Sequence, residues 1–580
     1  MKKASTRKRL GTYRAPWREP RRTSPIWGVG LALLLAACAP GAGTTQGSGG
    51  GVSTGGSQGG TGGVTGGPTS TGGATGTGGA RPGSDGGATA GSAATGSRDG
   101  TGGGSATGGR AGTGGAAAGT GGVTAGTGGA PVLSNLLITS ASGAFWKTGT
   151  WTESAASATV TVNDATTYQT WDGFGGAFNE LGWTYLTSKA MQDQAVQLLY
   201  GQDGARFNWG RIPIGANDYA VDRYTLNESA NDTAMANFSI ARDMQRLIPY
   251  IKAAQAVKAD IRFWASPWTP PTWMKSAPYK TPGNPVNAFD GGGMRNEDAM
   301  LKALATYFVK FVAAYAQQGI KVEYVAPQNE PGFTQNYPSS SWSPEAFTSF
   351  IGKYLGPALA VANPTAQIML GTMSNAAADR DLAVANAVLA DATAKSYSKA
   401  IGVQWGMSDA AQITNLKSRG PGIPIWLTEH RCGGTQGLDV PAAPNDIAYG
   451  KSSWNNIRDA INSGVTAYNA WNMVLDKGGR GIDNTRIWAQ NALLIADSGT
   501  VNATPAYYVF RHVSQYVVPG AKRIDATGGD AVAFKNPDGS LVVALYNSGS
   551  ASDAYVVDIG GKRLQFTMPG AGWATIVYKP

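Results

Sequence analysis

"KVEYVAPQNEPGF", Lys321 to Phe333, is a short run of β-branched and aromatic residues that ends on two amides, a carboxylate and a proline. Such a run, closed by turn residues, reads as a buried strand. Its last residues, Gln328, Asn329 and Glu330, then lie where a parallel barrel keeps its chemistry. "IPIWLTE" (423 to 429) repeats the pattern and ends on Glu429. Similar runs occur at "TWDGFGGAF" (170 to 178), "RFNWGRIPI" (206 to 214), "DIRFWAS" (260 to 266), "AQIMLGT" (366 to 372), "AIGVQWG" (400 to 406) and "VTAYNAWNM" (465 to 473). Helical segments separate them. One is "EDAMLKALATYFVKFVAAYAQQG" (297 to 319), with apolar residues three and four apart; another is 343 to 363, opened by a Ser343 cap, Pro344 and Glu345. Eight alternating β/α units favour a (β/α)8 barrel over an open doubly wound sheet.

Beyond the helix "PAYYVFRHVSQYV" (505 to 517) the apolar period switches to two in "DAVAFKN", "LVVALYN", "AYVVDIG" and "WATIVYK", which predicts a small antiparallel β-domain. "ASATVTVND" (156 to 164) has the same texture and is expected to join that sheet. The folded region therefore divides into N-terminal strands (132–167), a barrel (168–517) and a C-terminal β-sandwich (518–580), the side domain being built from both ends.

The first 131 residues differ in kind. Residues 1 to 25 carry nine Lys/Arg and one acid, and precede the apolar run Ile26 to Ala37. This is the pattern of an export signal, too short to span a bilayer as a mature helix. It ends "LAAC", Leu35 to Cys38, which resembles a bacterial lipobox. Residues 1–38 are thus expected to be a lipoprotein signal with Cys38 lipidated and the protein anchored at the bacterial cell surface or outer membrane; an ordinary secretory signal, giving a secreted protein, is the alternative. Residues 41 to 130 hold 39 glycines among Thr, Ser and Ala, and cannot bury enough apolar surface to offset the entropy of ordering. The stretch 39–131 reads as a disordered tether with a root-mean-square reach of about 50 Å. Eight of the ten net positive charges belong to the signal, so no basic footprint for nucleic acid remains. The protein is expected to be exported, to act as a monomer, and to meet a membrane only through its lipid anchor.

"LTEHRCGG" (427 to 434) brings Glu429, His430 and Cys432 together. Zinc needs three or four ligands, and two histidines and one cysteine beyond the signal are a thin supply. A Cys/His nucleophile needs an oriented base, and His430 is too near Cys432 along the chain, while His512 falls in an outer helix. The remaining reading pairs Glu429 with Glu330, 99 residues away and three β/α units upstream. Two carboxyls at one barrel mouth suit retaining glycoside hydrolysis. Strand alternation would put Glu429 on the inward face with Ile425 and Leu427, and His430 on the opposite face. Trp264, Trp268, Trp273 and Trp471, beside Asn472, are aromatic platforms of the kind that sugars stack on.

"WDGFGGAFNELGW", "RIPIGANDYA", "ASPWTPPTWMK", "VAPQNEP", "WLTEH", "AWNMVLD" and "AYYVFRHVSQYVVPGAKRI" resemble glycoside hydrolase family 30 in order and spacing, over about residues 168 to 580. The resemblance implies a (β/α)8 barrel with a side β-sandwich and retaining hydrolysis of a carbohydrate or glycolipid substrate, as in glucosylceramidase or endo-β-1,6-glucanase, without metal or cofactor. It makes Glu330 the acid/base and Glu429 the nucleophile, Arg211 the support of the nucleophile, and Asp218, Trp268, Asn329 and Trp471 the lining of the sugar subsite. Where much of the family has His-Trp-Tyr after the sixth strand, this chain has Gln404, Trp405 and Gly406. Gln404 is expected to hydrogen-bond a sugar hydroxyl. A non-catalytic, carbohydrate-binding surface lipoprotein is the alternative.

Overall fold

The computed structural model describes residues 135–276, 287–362, 365–374, 378–433, 442–484 and 489–580. The expected signal, Cys38 and the tether lie outside the described residues. Eight parallel strands close into a barrel: β1 (Gly173–Ala177), β2 (Trp209–Pro213), β3 (Arg262–Ser266), β4 (Val322–Val325), β5 (Gln367–Met373), β6 (Ser398–Gln404), β7 (Ile425–Glu429) and β8 (Ala467–Asn472). β8 pairs with β1 and closes the ring, as the alternation of β and α segments predicts.

The lumen is packed. Trp209, Trp264 and Trp426 fill it with Met369 and the small residues Ala326, Ala400 and Ala467, large beside small so that the layers interdigitate. Trp209 and Trp426 meet edge to face at 4.5 Å. β1 supplies no bulk here for a steric reason: a Cβ on Gly175 would sit 2.4 Å from the Trp209 carbonyl oxygen and 2.7 Å from Asn469 Oδ1.

The predicted helix 297 to 319 is an α-helix over Asp298–Gln317, with Tyr307, Phe308, Phe311 and Tyr315 buried. The predicted helix 343 to 363 starts as expected, with Ser343 accepting from Ala346 N at 3.2 Å. It is not uniform, however: Phe350–Leu355 winds as a π-helix before the α-helix Gly356–Ala362 resumes. Pro357 has no N–H for the α-helical ladder and crowds the preceding turn, and a widened turn absorbs the misfit.

The side domain is a ten-stranded sheet wrapped around its own core of Leu137, Val160, Ile524, Leu541, Val543, Val557, Phe566 and Ile576. Leu136–Ala141 lies antiparallel to Gly572–Tyr578, and Val160–Thr170 lies antiparallel to Lys522–Thr527. Both ends of the folded region therefore build it, as the texture of "ASATVTVND" predicts. His512, on the helix Pro505–Ser514, is a tie between barrel and sandwich: its ring nitrogens meet Thr575 Oγ1 at 2.9 Å and Ser140 Oγ at 2.8 Å. Burial depresses its pKa to about 3 and keeps the ring neutral.

Candidate active site

The C-terminal strand ends converge on one guanidinium. Arg211 on β2 is fully buried. Its Nη1 donates to Glu429 Oε2 at 2.6 Å, Nη2 donates to Asn329 Oδ1 at 2.7 Å, and Nε and Nη2 donate to Ser266 Oγ at 3.2 and 3.1 Å. Trp268, Trp264 and Trp471 surround its charge, with ring centroids 4.3, 4.8 and 5.3 Å away. Burial lowers the Arg211 pKa and the adjacent Glu429 charge opposes that. Because a guanidinium starts so far above neutrality, it remains a cation.

Asn329 Oδ1 accepts from three donors, Arg211 Nη2, Thr372 Oγ1 at 2.9 Å and Gln404 Nε2 at 3.2 Å. That assigns its oxygen to the protein and leaves the amide NH2 as the donor for a ligand. Gln404 Nε2 also reaches Glu429 Oε2 at 3.2 Å, and the side chain is buried. Its amide therefore braces the carboxylate and Asn329. Gly406 has φ +79°, a turn conformation that a tyrosine would adopt only under strain, which gives the departure from His-Trp-Tyr a local backbone reason.

Glu330 follows Asn329 with φ +50°, a left-handed conformation that costs about 1 kcal/mol or more for a residue with a side chain. Its N–H donates to the Thr372 carbonyl at 3.1 Å, and its own carbonyl accepts from Phe333 N at 2.9 Å. The carboxyl opens partly to the mouth, yet burial pushes its pKa well above the carboxylate range. The charges of Glu429, Asp381 and Asp218 add to that shift, against an opposing pull from Arg211. Asp218 is buried in the loop after β2, its backbone carbonyl accepting from Ile482 N at 2.8 Å. Trp268 and Trp471 stack at 5.3 Å with an interplanar angle of 27°. Arg211, Asp218, Trp268, Asn329, Glu330, Gln404, Glu429 and Trp471 thus share one mouth.

Alternation does not carry Glu429 inward as expected. Trp426 faces the lumen, whereas Ile425 and Leu427 belong to the core shared with the outer helices. The pairing of β6 with β7 then slips: Val403 faces Leu427 but Gln404 faces Glu429. This bulge makes Thr428 the extra residue and returns Glu429 to the mouth. His430 points outward, as expected, between Tyr468 Oη at 2.6 Å and Ser453 Oγ at 3.1 Å. Burial lowers its pKa to about 3, and both ring nitrogens are engaged. Cys432 packs, partly buried, against the main core.

The chain matches the Glycosyl hydrolase family 30 TIM-barrel domain over residues 171–517, and the Glycosyl hydrolase family 30 beta sandwich domain over residues 520–576. The chain belongs to glycosyl hydrolase family 30. Among relatives of this family-30 glycosidase, the lysosomal acid glucosylceramidase of Mus musculus is 27% identical over 413 residues, covering 67% of this chain and 77% of that protein. The endo-1,6-beta-D-glucanase neg1 of Aspergillus fumigatus is 25% identical over 431 residues, covering 68% and 82%. SrfJ from Salmonella typhimurium has the same fold, with a TM-score of 0.68 at 24% identity over 77% of this chain and 99% of that one.

Asn217, Asn179 and Gln490 in the family-30 site escape sequence reasoning, although they join Asn472 and Trp471, which do not. An amide chain runs from Asn217 to Asn179 at 2.7 Å, to Asn472 at 2.8 Å and to Gln490 at 2.9 Å, and Gln490 Oε1 also accepts from Trp471 Nε1 at 3.0 Å. Ser266, Thr372 and Asn179 close or follow their strands as Glu330 and Glu429 do. Their place at a strand end is the local signal that marks them, whereas nothing local marks Gln490 or Asp381.

Proposed function

We propose that this glycosidase is a retaining β-glycosidase acting by double displacement on β-glucosides. The observation that carries the reading is the unequal setting of two carboxyls at one mouth. Glu429 accepts a short bond from the buried Arg211 cation, whereas burial and neighbouring carboxylates hold the proton on Glu330. In the first step Glu429 Oε attacks the anomeric carbon, the bond to the leaving oxygen breaks, and that oxygen takes the Glu330 proton. The resulting glycosyl ester removes the charge of Glu429, so an ionised Glu330 is less costly and serves as base. Water then gives Glu330 a proton as its oxygen bonds to the anomeric carbon, and Glu429 leaves as carboxylate. The Trp268 and Trp471 rings offer apolar faces to the sugar, and the Asn329 NH2 donates to the hydroxyl beside the reacting carbon.

The names of the mouse and Aspergillus relatives, a glucosylceramidase and an endo-1,6-β-D-glucanase, support a β-glucosyl substrate. Incubation with glucosylceramide, β-1,6-glucan, β-1,6-galactan and xylan, followed by proton NMR of the first-formed product, tests both parts. The β-anomer from a glucoside is expected. An α-anomer first would overturn retention, and binding without turnover on every substrate would overturn the enzyme reading in favour of a surface carbohydrate-binding protein.

The basic segment, the apolar run and "LAAC" before a Gly-rich stretch support an exported protein anchored through lipid on Cys38, with the domain held off the membrane by residues 39–131. In a bacterial host the full chain is expected in the membrane fraction, and Cys38→Ser is expected to release it. A wild-type chain found wholly in soluble fractions would overturn the anchor.

A further inference from the structure

The strain at Glu330 needs a restraint, since a left-handed glutamate persists only where its surroundings over-determine it. Part of the restraint is the bond from Glu330 N to the Thr372 carbonyl at the end of β5. The rest comes from a residue outside the strand ends. Asp381 lies in the first turn of the helix Ala378–Ala390 and has no exposed surface. Its Oδ1 accepts from Gly332 N at 2.5 Å, two residues beyond Glu330, and its Oδ2 accepts from Ser374 N at 2.5 Å, just beyond β5. One carboxylate therefore bridges the loop that carries Glu330 and the loop after the neighbouring strand, through two charge-assisted bonds. The fit has no slack: a Cβ on Gly332 would lie 2.7 Å from Asp381 Oδ1 and 2.8 Å from Arg380 Cβ.

The structure assigns Asp381 as the positioning residue for Glu330, fixing the turn 330–333 so that the carboxyl stays at the mouth in its strained conformation. The inference rests on the reading of Glu330 as acid/base. The ionisable groups facing Glu330 are Glu429 from β7, Asp218 from the loop after β2, Arg211 from β2 and Asp381 itself, and Arg380 faces Asp381. The negative charge of Asp381 favours the proton on Glu330. Burial also pushes Asp381 up to about 7, against the pull of the Ser374 and Gly332 N–H groups.

Asp381→Asn keeps the shape but offers one acceptor oxygen to two N–H donors. Glu330→Ala in parallel tests the underlying reading. For the full chain, kcat/KM is measured on a 2,4-dinitrophenyl β-glucoside, whose leaving group needs no acid, and on an alkyl β-glucoside, whose leaving group does. The ratio of alkyl to dinitrophenyl activity is expected to fall at least tenfold in Asp381→Asn. Its basic limb of kcat/KM is expected to move to lower pH, because a neighbouring negative charge is gone. Equal loss on both substrates with an unmoved basic limb, or no loss, would overturn the positioning role while Glu330→Ala still showed its selective loss. If Glu330→Ala lacks that selectivity, the acid/base reading fails instead. Should Asp381→Asn not fold, Gly332→Ala strains the same contact from the loop side. A tenfold selective loss there supports the inference and a uniform one overturns it.

Discussion

Glu429→Gln is expected to abolish turnover, with kcat on an aryl β-glucoside falling by on the order of 10⁴-fold or more, because an amide forms no stable glycosyl ester. The protein is expected to stay folded. Arg211 retains Ser266 and Asn329 as acceptors, and the glutamine oxygen can replace one carboxylate oxygen. Circular dichroism and a cooperative melt check the fold; stopped assays check the rate. Glu429→Gly opens space beside Arg211 and is expected to regain activity with azide on a β-glycosyl fluoride, azide displacing fluoride from the opposite face to give an α-glycosyl azide. Hydrolysis retained by Glu429→Gln at anything near the wild-type rate would remove Glu429 from the nucleophile's role.

Glu330→Ala is expected to behave differently. General acid catalysis contributes about 10²- to 10⁴-fold, so alkyl β-glucosides lose that much in kcat/KM while dinitrophenyl glucosides lose least in their first step. Their glycosyl enzyme then waits for a base. Azide, which needs none, is expected to speed turnover and to yield a β-glycosyl azide by product NMR; an α-azide would contradict the division of roles. The pH dependence follows from the same carboxyl. Glu330 must carry its proton in the free enzyme, and burial with the charges of Glu429, Asp381 and Asp218 raises its pKa. While Glu429 stays ionised, the wild-type kcat/KM is therefore full below that raised pKa and falls as pH climbs through it. Glu330→Ala is expected to lose this basic limb, and an unchanged limb would assign it to another group.

Much of this protein was legible in one dimension because the physics is local. Eight β-branched runs spaced by amphipathic helices dictate a parallel barrel, since each strand must be buried on both faces and each crossover needs a helix. The switch to period two marks the antiparallel domain. The barrel rule then puts Glu330 and Glu429 at one end, with the tryptophans beside them, and the family resemblance adds Arg211 and Asp218.

What the chain alone could not decide are relations between residues distant in sequence. Alternation at β7 pointed to Glu429 through Ile425 and Leu427, but those two face the helices. A bulge, defined only by the pairing of Gln404 with Glu429, turns the glutamate into the mouth. Gln404, read from the sequence as a ligand for sugar, also directs its amide nitrogen to Glu429 and Asn329. Asp381 sits in an ordinary helical first turn until folding brings it against Gly332. Composition and periodicity determine which elements form and which ends are polar, because those follow from burial. Register, bulges and buried hydrogen bonds settle which polar side chains serve chemistry and which hold them in place, because each depends on a partner that only the closed barrel supplies.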